Sequence, residues 1–243
     1  MSDGPGPVAM RVVALLDDSR QSLAALAAAV ALADQVRAEL VALFIEDLDL
    51  LHCASFPFSC EVGASTGLTR PLESTALEAS LARQGQRITR ALEEAVAGRE
   101  LRHRLQVSRG QVVSEALGEA TPGDVLVLGK AGLSSRWEWS ARLGSTSRRL
   151  VLEAPCTVII WDERHPPVPG PLRYFHGEAP TLPWGESLAE ASRSHPMAAD
   201  ELERFLARAR RGALVINRTT LVRLSDEDPD VLARIPIPVV VVP

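Results

Sequence analysis

Short apolar runs alternate along this chain with segments in which apolar residues recur every three or four positions. The runs predict buried strands at residues 11–16, 40–45, 101–107, 125–128 and 157–161. The spacing between them predicts amphipathic helices, the longest of which is marked by Leu77, Leu81, Ile88, Leu92 and Val96. Residues 49–70 contain Pro, Gly and Ser and interrupt this alternation, so they are predicted to form an irregular loop.

The order β-α-β-α-β-α-β-α-β predicts an α/β fold, with a five-stranded parallel sheet and helices on both faces. In such sheets, ligands bind beyond the carboxyl ends of the strands. Asp17, Phe44-Ile45 and Gly129 stand at three of these ends. The sequence therefore predicts a binding site at this edge of the sheet.

The chain after residue 161 is predicted to form a second, smaller unit. Residues 162–171 hold four prolines, which is typical of a stiff linker, so domains are predicted over residues 1–161 and 172–243. GALVINR at 212–218 resembles GDVLVLGK at 123–130, and LARIPIPVVVVP at 232–243 resembles LVLEAPCTVIIW at 150–161. The second copy has no glycine after Gly212, so we predict a reduced, degenerate α/β repeat without a phosphate loop.

Composition narrows the possible classes of function. The 243 residues are 46% hydrophobic, with a net charge of −5 and no block of basic residues, which disfavours nucleic acid as a partner. The first residues do not resemble a signal peptide, and no apolar stretch approaches the roughly 20 residues that span a membrane. We therefore expect a cytoplasmic protein without membrane contact.

The three cysteines show no metal-ligand spacing. Cys156 lies in an apolar run and is expected to be a core residue. Cys53 and Cys60 are expected to be reduced thiols, with a redox pair as the less favoured alternative.

Residues 123–161 carry the most specific chemistry of the sequence. The strand at 125–128 ends at Gly129, Gly132 follows in a loop, and Gly144-Ser145-Thr146 opens a helix. Glycines let the backbone approach a ligand closely, and free N–H groups at a helix start favour an anion. This arrangement predicts a phosphate site, and therefore a nucleotide ligand.

Taken in order, these motifs resemble the universal stress protein family. The resemblance covers residues 10–161 well and 212–243 weakly, and residues 44–63 resemble two-copy members found in bacteria. It rests on the strand-end Asp17, the G-x-x-G of residues 129–132, the G-[ST] of residues 144–145, and the A-P-C-x-V strand at 154–158.

The resemblance implies a Rossmann-like protein of the stress response that binds ATP or a related adenine nucleotide, with Mg²⁺, and has little or no turnover. In nucleotide-binding relatives the strand-end aspartate contacts the adenosine part, and the glycine loop wraps the phosphates. The residues implied here are Asp17, Gly129, Gly132, Gly144, Ser145 and Thr146. The second copy would pack against the edge strand at 156–161, as one subunit of a single-copy dimer packs on the other.

This chain departs from the family pattern in the loop and in the first turn. Eleven residues separate Gly132 from Gly144, which is longer than the pattern. Trp137 and Trp139 lie in that loop and are predicted to form a protein interface, with stacking on a base as the alternative. Asp18 stands where glycine is common and adds negative charge.

Several of these residues also have a structural interpretation. Asp17 suits a turn or an N-cap, Gly129 and Gly132 suit a turn with positive φ, and Ser145 suits the cap of its helix. Lys130 and Arg136 are expected to be exposed loop cations, with contact to a phosphate as the alternative.

Three functions follow from these observations. The first is a regulatory protein that binds an adenine nucleotide. The alternative is a nucleotide-free interaction module that keeps the fold and presents the tryptophan loop, or its second copy, to an unidentified protein partner. An adenylating or flavin-carrying enzyme is the third, but the sequence holds no Ser-His-Asp set and no H-E-x-x-H motif, so we expect no enzyme activity.

Overall fold

The computed structural model of the chain describes residues 10–63, 66–130, 143–163, 170–175, 182, 195–197, 202, 209–228 and 230–243. Its strands are β1 (Arg11–Leu16), β2 (Glu39–Asp47), β3 (Cys60–Val62), β4 (Thr69–Pro71), β5 (His103–Gly110), β6 (Val125–Gly129), β7 (Thr157–Trp161), β8 (Leu172–Phe175), β9 (His195–Met197), β10 (Ala213–Asn217) and β11 (Val239–Val242). The helices are α1 (Arg20–Val36), α2 (Leu48–Ala54), α3 (Ser74–Val96), α4 (Val112–Glu119), α5 (Ser145–Glu153), α6 (Arg218–Glu227) and α7 (Val231–Arg234).

The alternation of strands and helices predicted for residues 11–161 is confirmed. Strands β1, β2, β6 and β7 have no exposed residue because their runs are apolar on both faces, whereas the edge strand β5 has four exposed residues. Helix α1 begins after Ser19, whose side chain accepts a hydrogen bond from the Ser22 N–H at 3.1 Å and so caps the helix. It ends at Arg37, whose φ of 54° lies in the left-handed region typical of helix ends.

The predicted loop at residues 49–70 contains regular structure. Asp47 accepts a hydrogen bond from the Asp49 N–H at 2.9 Å and starts the short helix α2. Strands β3 and β4 then pair antiparallel as a separate two-stranded hairpin. The sequence did not indicate these strands because each has only three residues, and most of their side chains are exposed.

The five predicted strands form one half of a larger sheet. Its order is β5-β2-β1-β6-β7-β11-β10-β8-β9, so the α/β class is confirmed, while in the described part of the chain the sheet has nine strands and not five. All neighbours are parallel except β7 and β11, which pair antiparallel through Val158, Ile159 and Ile160. The predicted cover of the β7 edge is thus confirmed. An edge strand that is apolar on both faces requires such a partner.

Two apolar layers cover the faces of this sheet. One lies beneath α1 and α3 and extends to Val240 and Val242 of β11. The other lies beneath α4, α5, α6 and α7 and includes residues of both halves, such as Leu126 and Ile216. Both layers are therefore continuous across the β7–β11 junction. The predicted domain limits remain a prediction, and residues 164–169 of the proline-rich segment lie outside the described residues.

Arg218 also joins the two halves, by hydrogen bonds to main-chain oxygens. Its Nε donates to the oxygen of Val151 at 3.0 Å, and its Nη2 donates to that of Cys156 at 2.6 Å. Val151 lies in the last turn of α5, where carbonyl groups lack helical partners and a cation is favourable. The second half therefore caps a helix of the first.

An ion-pair cluster lies at the amino ends of β1 and β6. The guanidinium of Arg11 donates to Asp124 through Nε at 3.1 Å and Nη2 at 2.6 Å, and to Glu119 through Nη1 at 2.9 Å. Thr121 donates its N–H and its hydroxyl to the Asp124 carboxylate, each at 2.8 Å. This edge is opposite the strand ends at which a ligand is expected, so the cluster is structural.

Candidate functional site

The order in which the chain adds strands to the sheet reverses between β1 and β6. Strand β1 pairs with β2 on one side and with β6 on the other, both in parallel, so the loops that leave β1 and β6 diverge to opposite sides. Such a point leaves a crevice beyond the carboxyl ends of the strands, which is where α/β sheets bind ligands. Asp17 directly follows β1, and Gly129 is the last residue of β6.

Asp17 is an exposed residue of the turn between β1 and α1. Its Oδ1 accepts a hydrogen bond from the Ser19 N–H at 3.0 Å, and its own N–H donates to Ser22 Oγ at 3.3 Å. Of the two structural roles predicted, the turn is therefore correct, and Ser19 is the N-cap. Within the described part of the chain no donor reaches Asp17 Oδ2, which leaves that oxygen able to accept a hydrogen bond from a ligand hydroxyl.

Asp18 is neutralised by a residue that the sequence did not indicate. Its carboxylate accepts three hydrogen bonds from the guanidinium of Arg87 on α3, the shortest at 2.6 Å. The predicted extra negative charge beside Asp17 is thus balanced. Asp18 has a φ of 68°, which explains why glycine suits this position.

The structural role predicted for Gly129, a turn with positive φ, is wrong, while its contact with a phosphate stays a prediction. Gly129 is not one of the described residues with positive φ, so a left-handed turn does not explain why glycine stands at this position. A Cβ at this position would instead lie 2.6 Å from the carbonyl carbon and oxygen of Gln21 and 2.8 Å from the nitrogen of Ser22. The end of β6 therefore packs directly on the main chain of the first turn of α1, beside Asp17.

Gly129→Ala is expected to lower the free energy of unfolding by about 2 kcal/mol, because the main chain of α1 must move to admit the methyl group. Gly123→Ala is the matched control, since a Cβ there would meet nothing within 4 Å, and its effect should stay within about 0.5 kcal/mol. Urea unfolding of both variants measures the difference. Equal stability of the two would contradict the close approach of β6 to α1.

Lys130 does not lie exposed in the loop, as was expected. Only 7% of it is accessible to solvent. Its ammonium group donates to the main-chain oxygen of Ile235 at 2.5 Å and contacts Asp162 Oδ2 at 3.4 Å. The expectation of an exposed cation is therefore wrong, because the side chain joins the two halves, while the alternative of a phosphate contact stays a prediction.

The second part of the predicted phosphate loop lies at the start of α5. Gly144 is the N-cap, with φ −57° and ψ 149°, and no side chain caps the helix there. Ser145 is the first helical residue and is exposed, so the prediction that it caps its helix is wrong. Thr146 follows and is partly buried. Among the described residues no side chain caps the N–H groups of this turn, so an anion can bind there.

The structure brings some of the predicted site residues together. Asp17 and Gly129 meet at the first turn of α1 through Ser22, which the N–H of Asp17 contacts and against which Gly129 packs. Gly144, Ser145 and Thr146 form the first turn of α5. Gly132, Arg136, Trp137 and Trp139 belong to residues 131–142, which lie outside the described residues, so their predicted roles remain predictions.

Comparison with solved structures identifies the fold. A universal stress protein from Archaeoglobus fulgidus DSM 4304 matches with a TM-score of 0.65 and 12% identity, over 96% of this chain and 97% of that one. The chain has the universal stress protein fold. UspA from Lactobacillus plantarum (21% identity, TM-score 0.45) covers 64% of this chain and 99% of its own. Hypothetical protein MJ0577 (15% identity, TM-score 0.41) covers 63% and 95%. No protein-family model and no curated protein matches the sequence.

The universal stress protein fold predicted from Asp17, the glycine motifs and the strand order is therefore confirmed. Because the Archaeoglobus match covers 96% of this chain, the likeness includes both halves of the nine-stranded sheet. Helices of the described part of the chain include none that is long and apolar enough to cross a membrane.

The described residues form no metal site, and their cysteines are buried or are free thiols. Among these residues no group of three or more His, Cys, Asp or Glu could hold a metal ion. Cys156 is buried in the core, as predicted, and its burial raises the pKa of the thiol to about 11. Cys53 and Cys60 are exposed free thiols, so they do not form the disulfide of a redox pair here.

Proposed function

We propose that the chain is a regulatory protein of the universal stress type that binds ATP or another adenine nucleotide in the crevice between β1 and β6. The observation that carries this proposal is the reversal of strand order between β1 and β6. Asp17 lies at the carboxyl end of β1, and Gly129 lies at that of β6. We further propose that it acts in the cytoplasm in a stress response, and that it has neither nucleic acid nor membrane as a partner.

The described residues support distinct roles in that site. Asp17 Oδ2 would accept a hydrogen bond from the ribose or the base, because Oδ1 is already bound to the Ser19 N–H. The first turn of α5 would hold phosphate through N–H groups that no side chain of the described residues caps. Gly132 belongs to the same proposed loop. Magnesium would accompany the phosphates of ATP, since it is commonly bound by substrate phosphates together with few protein ligands.

Slow turnover or none is part of the proposal. Hydrolysis requires a group that orients or activates water, and the sequence motifs include no catalytic signature of this kind. Nucleotide binding would then change how the chain interacts with a protein partner or with a second copy of itself.

Titration calorimetry with millimolar ATP and Mg²⁺ tests the binding. We expect saturable heat for the wild-type protein and at least roughly tenfold weaker binding for Gly144→Val, whose side chain would cover the first turn of α5. The backbone angles at Gly144 are open to any residue, so this variant should fold. Gly123→Val serves as the control at an open position remote from α5.

The nucleotide-free interaction module is the second candidate, and Lys130 favours it. The structure removes this cation from the loop and uses it between the halves, so one positive charge available to a phosphate is lost. In this alternative the tryptophan loop would contact a protein partner. Absence of heat with ATP, together with no nucleotide in the purified protein, would refute nucleotide binding and support this candidate.

A further inference from the structure

Arg87 reaches from α3 to the turn that follows β1. Its Nε donates to both carboxylate oxygens of Asp18, at 3.0 and 2.9 Å, and its Nη2 donates to Oδ2 at 2.6 Å. The two residues are 69 positions apart in sequence. The Asp18 side chain is only 19% exposed, whereas that of Arg87 is 51% exposed, so the pair lies at the surface with the carboxylate on its inner side.

Asp18, the acidic residue of this ion pair, has an unusual main-chain conformation. Asp18 has a φ of 68°, which is unfavourable for a residue with a Cβ unless the surroundings hold it. The left-handed residue reverses the chain between Asp17 and Ser19, and so permits the Ser19 N–H to reach Asp17 Oδ1 at 3.0 Å. Asp17 itself is held by local hydrogen bonds with Ser19 and Ser22, so we expect it to keep its place when only the charge of Arg87 is removed.

The pair also sets the charge at the mouth of the crevice. Asp17 and Asp18 place two adjacent carboxylates where the proposed function requires an anionic ligand to enter. An uncompensated carboxylate repels each phosphate charge, and the effect increases with the number of charges on the ligand. The guanidinium of Arg87 cancels one of the two carboxylates at hydrogen-bond distance.

We propose that Arg87 is a charge-balancing residue of the nucleotide site, which neutralises Asp18 in the turn after β1 and so allows a polyphosphate to bind beside two carboxylates. This inference rests on the proposed function. It assigns to the site a preference for charged nucleotides over the uncharged nucleoside, set in part by a residue on α3.

Calorimetry with adenosine, AMP, ADP and ATP tests this role on the full chain. In Arg87→Gln, binding of ATP should weaken roughly tenfold, that of ADP and AMP progressively less, and that of adenosine by about twofold at most. A merely structural role would weaken all four ligands equally. Arg90→Gln on the same helix removes an exposed arginine that does not contact Asp18, and should change none of the four affinities by more than about twofold.

Two further variants separate the charge from the fold. Arg87→Lys keeps a cation but loses the two-nitrogen geometry, so its ATP affinity should lie between those of wild type and Arg87→Gln. In the double variant Asp18→Gly with Arg87→Gln, glycine adopts the positive φ without cost and brings no charge, so ATP affinity should return to within about threefold of wild type. Thermal unfolding confirms that each variant is folded before titration.

The outcomes distinguish this inference from the proposed function. Wild-type protein that binds ATP, with Arg87→Gln equally affected for adenosine and ATP or not affected at all, would overturn the role of Arg87 and leave nucleotide binding intact. Failure of the double variant to recover ATP affinity would also overturn it. Wild-type protein that binds none of the four ligands would refute the nucleotide site itself, and the role of Arg87 with it.

Discussion

Lys130→Met is expected to lower the free energy of unfolding by about 3–5 kcal/mol, because it removes one partner from a buried ion pair. The side chains of Lys130 and Asp162 are only 7% and 4% exposed. The substitution leaves a buried carboxylate without this ammonium group, and the main-chain oxygen of Ile235 without its donor at 2.5 Å. Methionine keeps most of the volume, so the loss reports polar contacts and not a cavity.

Two comparison variants make this result specific. Arg149→Met removes an exposed cation that pairs with Glu153 one turn away, and it should cost at most about 0.5 kcal/mol. Lys130→Met combined with Asp162→Leu removes both buried charges and should recover a large part of the loss. Urea unfolding curves for the four proteins measure these differences. A Lys130→Met protein within about 1 kcal/mol of wild type would show that Lys130 is not buried against the second half.

Strands β1, β2, β6 and β7 of the first half could be predicted because each is buried on both faces. Such a strand is a continuous apolar run, and the run itself marks it along the chain. The strand β11 likewise consists of four buried valines, and the sequence similarity between residues 232–243 and 150–161 indicated it. The hairpin of β3 and β4 gave no such pattern, because most of its side chains are exposed.

The candidate site could be predicted only in part, because its local features appear in the sequence and its distant contacts do not. Asp17 and Gly129 were found as residues at strand ends. Lys130 contacts Ile235, which is 105 positions away, and no local pattern distinguishes it from an exposed lysine.

The need for glycine at position 129 shows the same limit. It arises from the main chain of α1, which only the packed structure brings to that place. A glycine in a strand-end loop equally fits a turn, a phosphate site or a close packing contact. Sequence alone therefore located the edge of the sheet that holds the candidate site, while tertiary contacts determine what each residue does there.

Asp124→Asn should produce the second large loss of stability, about 3 kcal/mol at pH 7, because it disrupts the cluster at the opposite edge of the sheet. The Asp124 side chain is fully buried. Both of its carboxylate oxygens accept hydrogen bonds, Oδ1 from Arg11 and Oδ2 from Arg11 and Thr121. An amide would place its NH₂ group against one of these donors. Asp34→Asn, in the exposed pair with Arg99, is the matched control and should cost less than about 1 kcal/mol.

The effect of Asp124→Asn should also depend on pH in a defined direction. Burial alone would raise the pKa of Asp124, but the hydrogen bonds from Arg11 and Thr121 outweigh it and hold this pKa below its usual value of 3.8. The unfolded chain therefore binds more protons than the folded chain as the pH falls below about 4. The stabilisation by Asp124 is complete above that pH, and it is lost as the pH falls through the lowered pKa of the folded protein.

Urea unfolding of wild type and Asp124→Asn between pH 7 and pH 3 measures this dependence. The difference in unfolding free energy should be constant from pH 7 to about pH 5 and should shrink below about pH 4, because only the wild-type protein loses the Asp124 carboxylate. The pKa of Glu119 is also lowered, by hydrogen bonds from Gln106 and Arg11 that outweigh its burial, but Glu119 titrates in both proteins and largely cancels in the difference. A difference that grew on acidification would mean that Asp124 is more easily protonated in the folded chain, contrary to its pairing with Arg11.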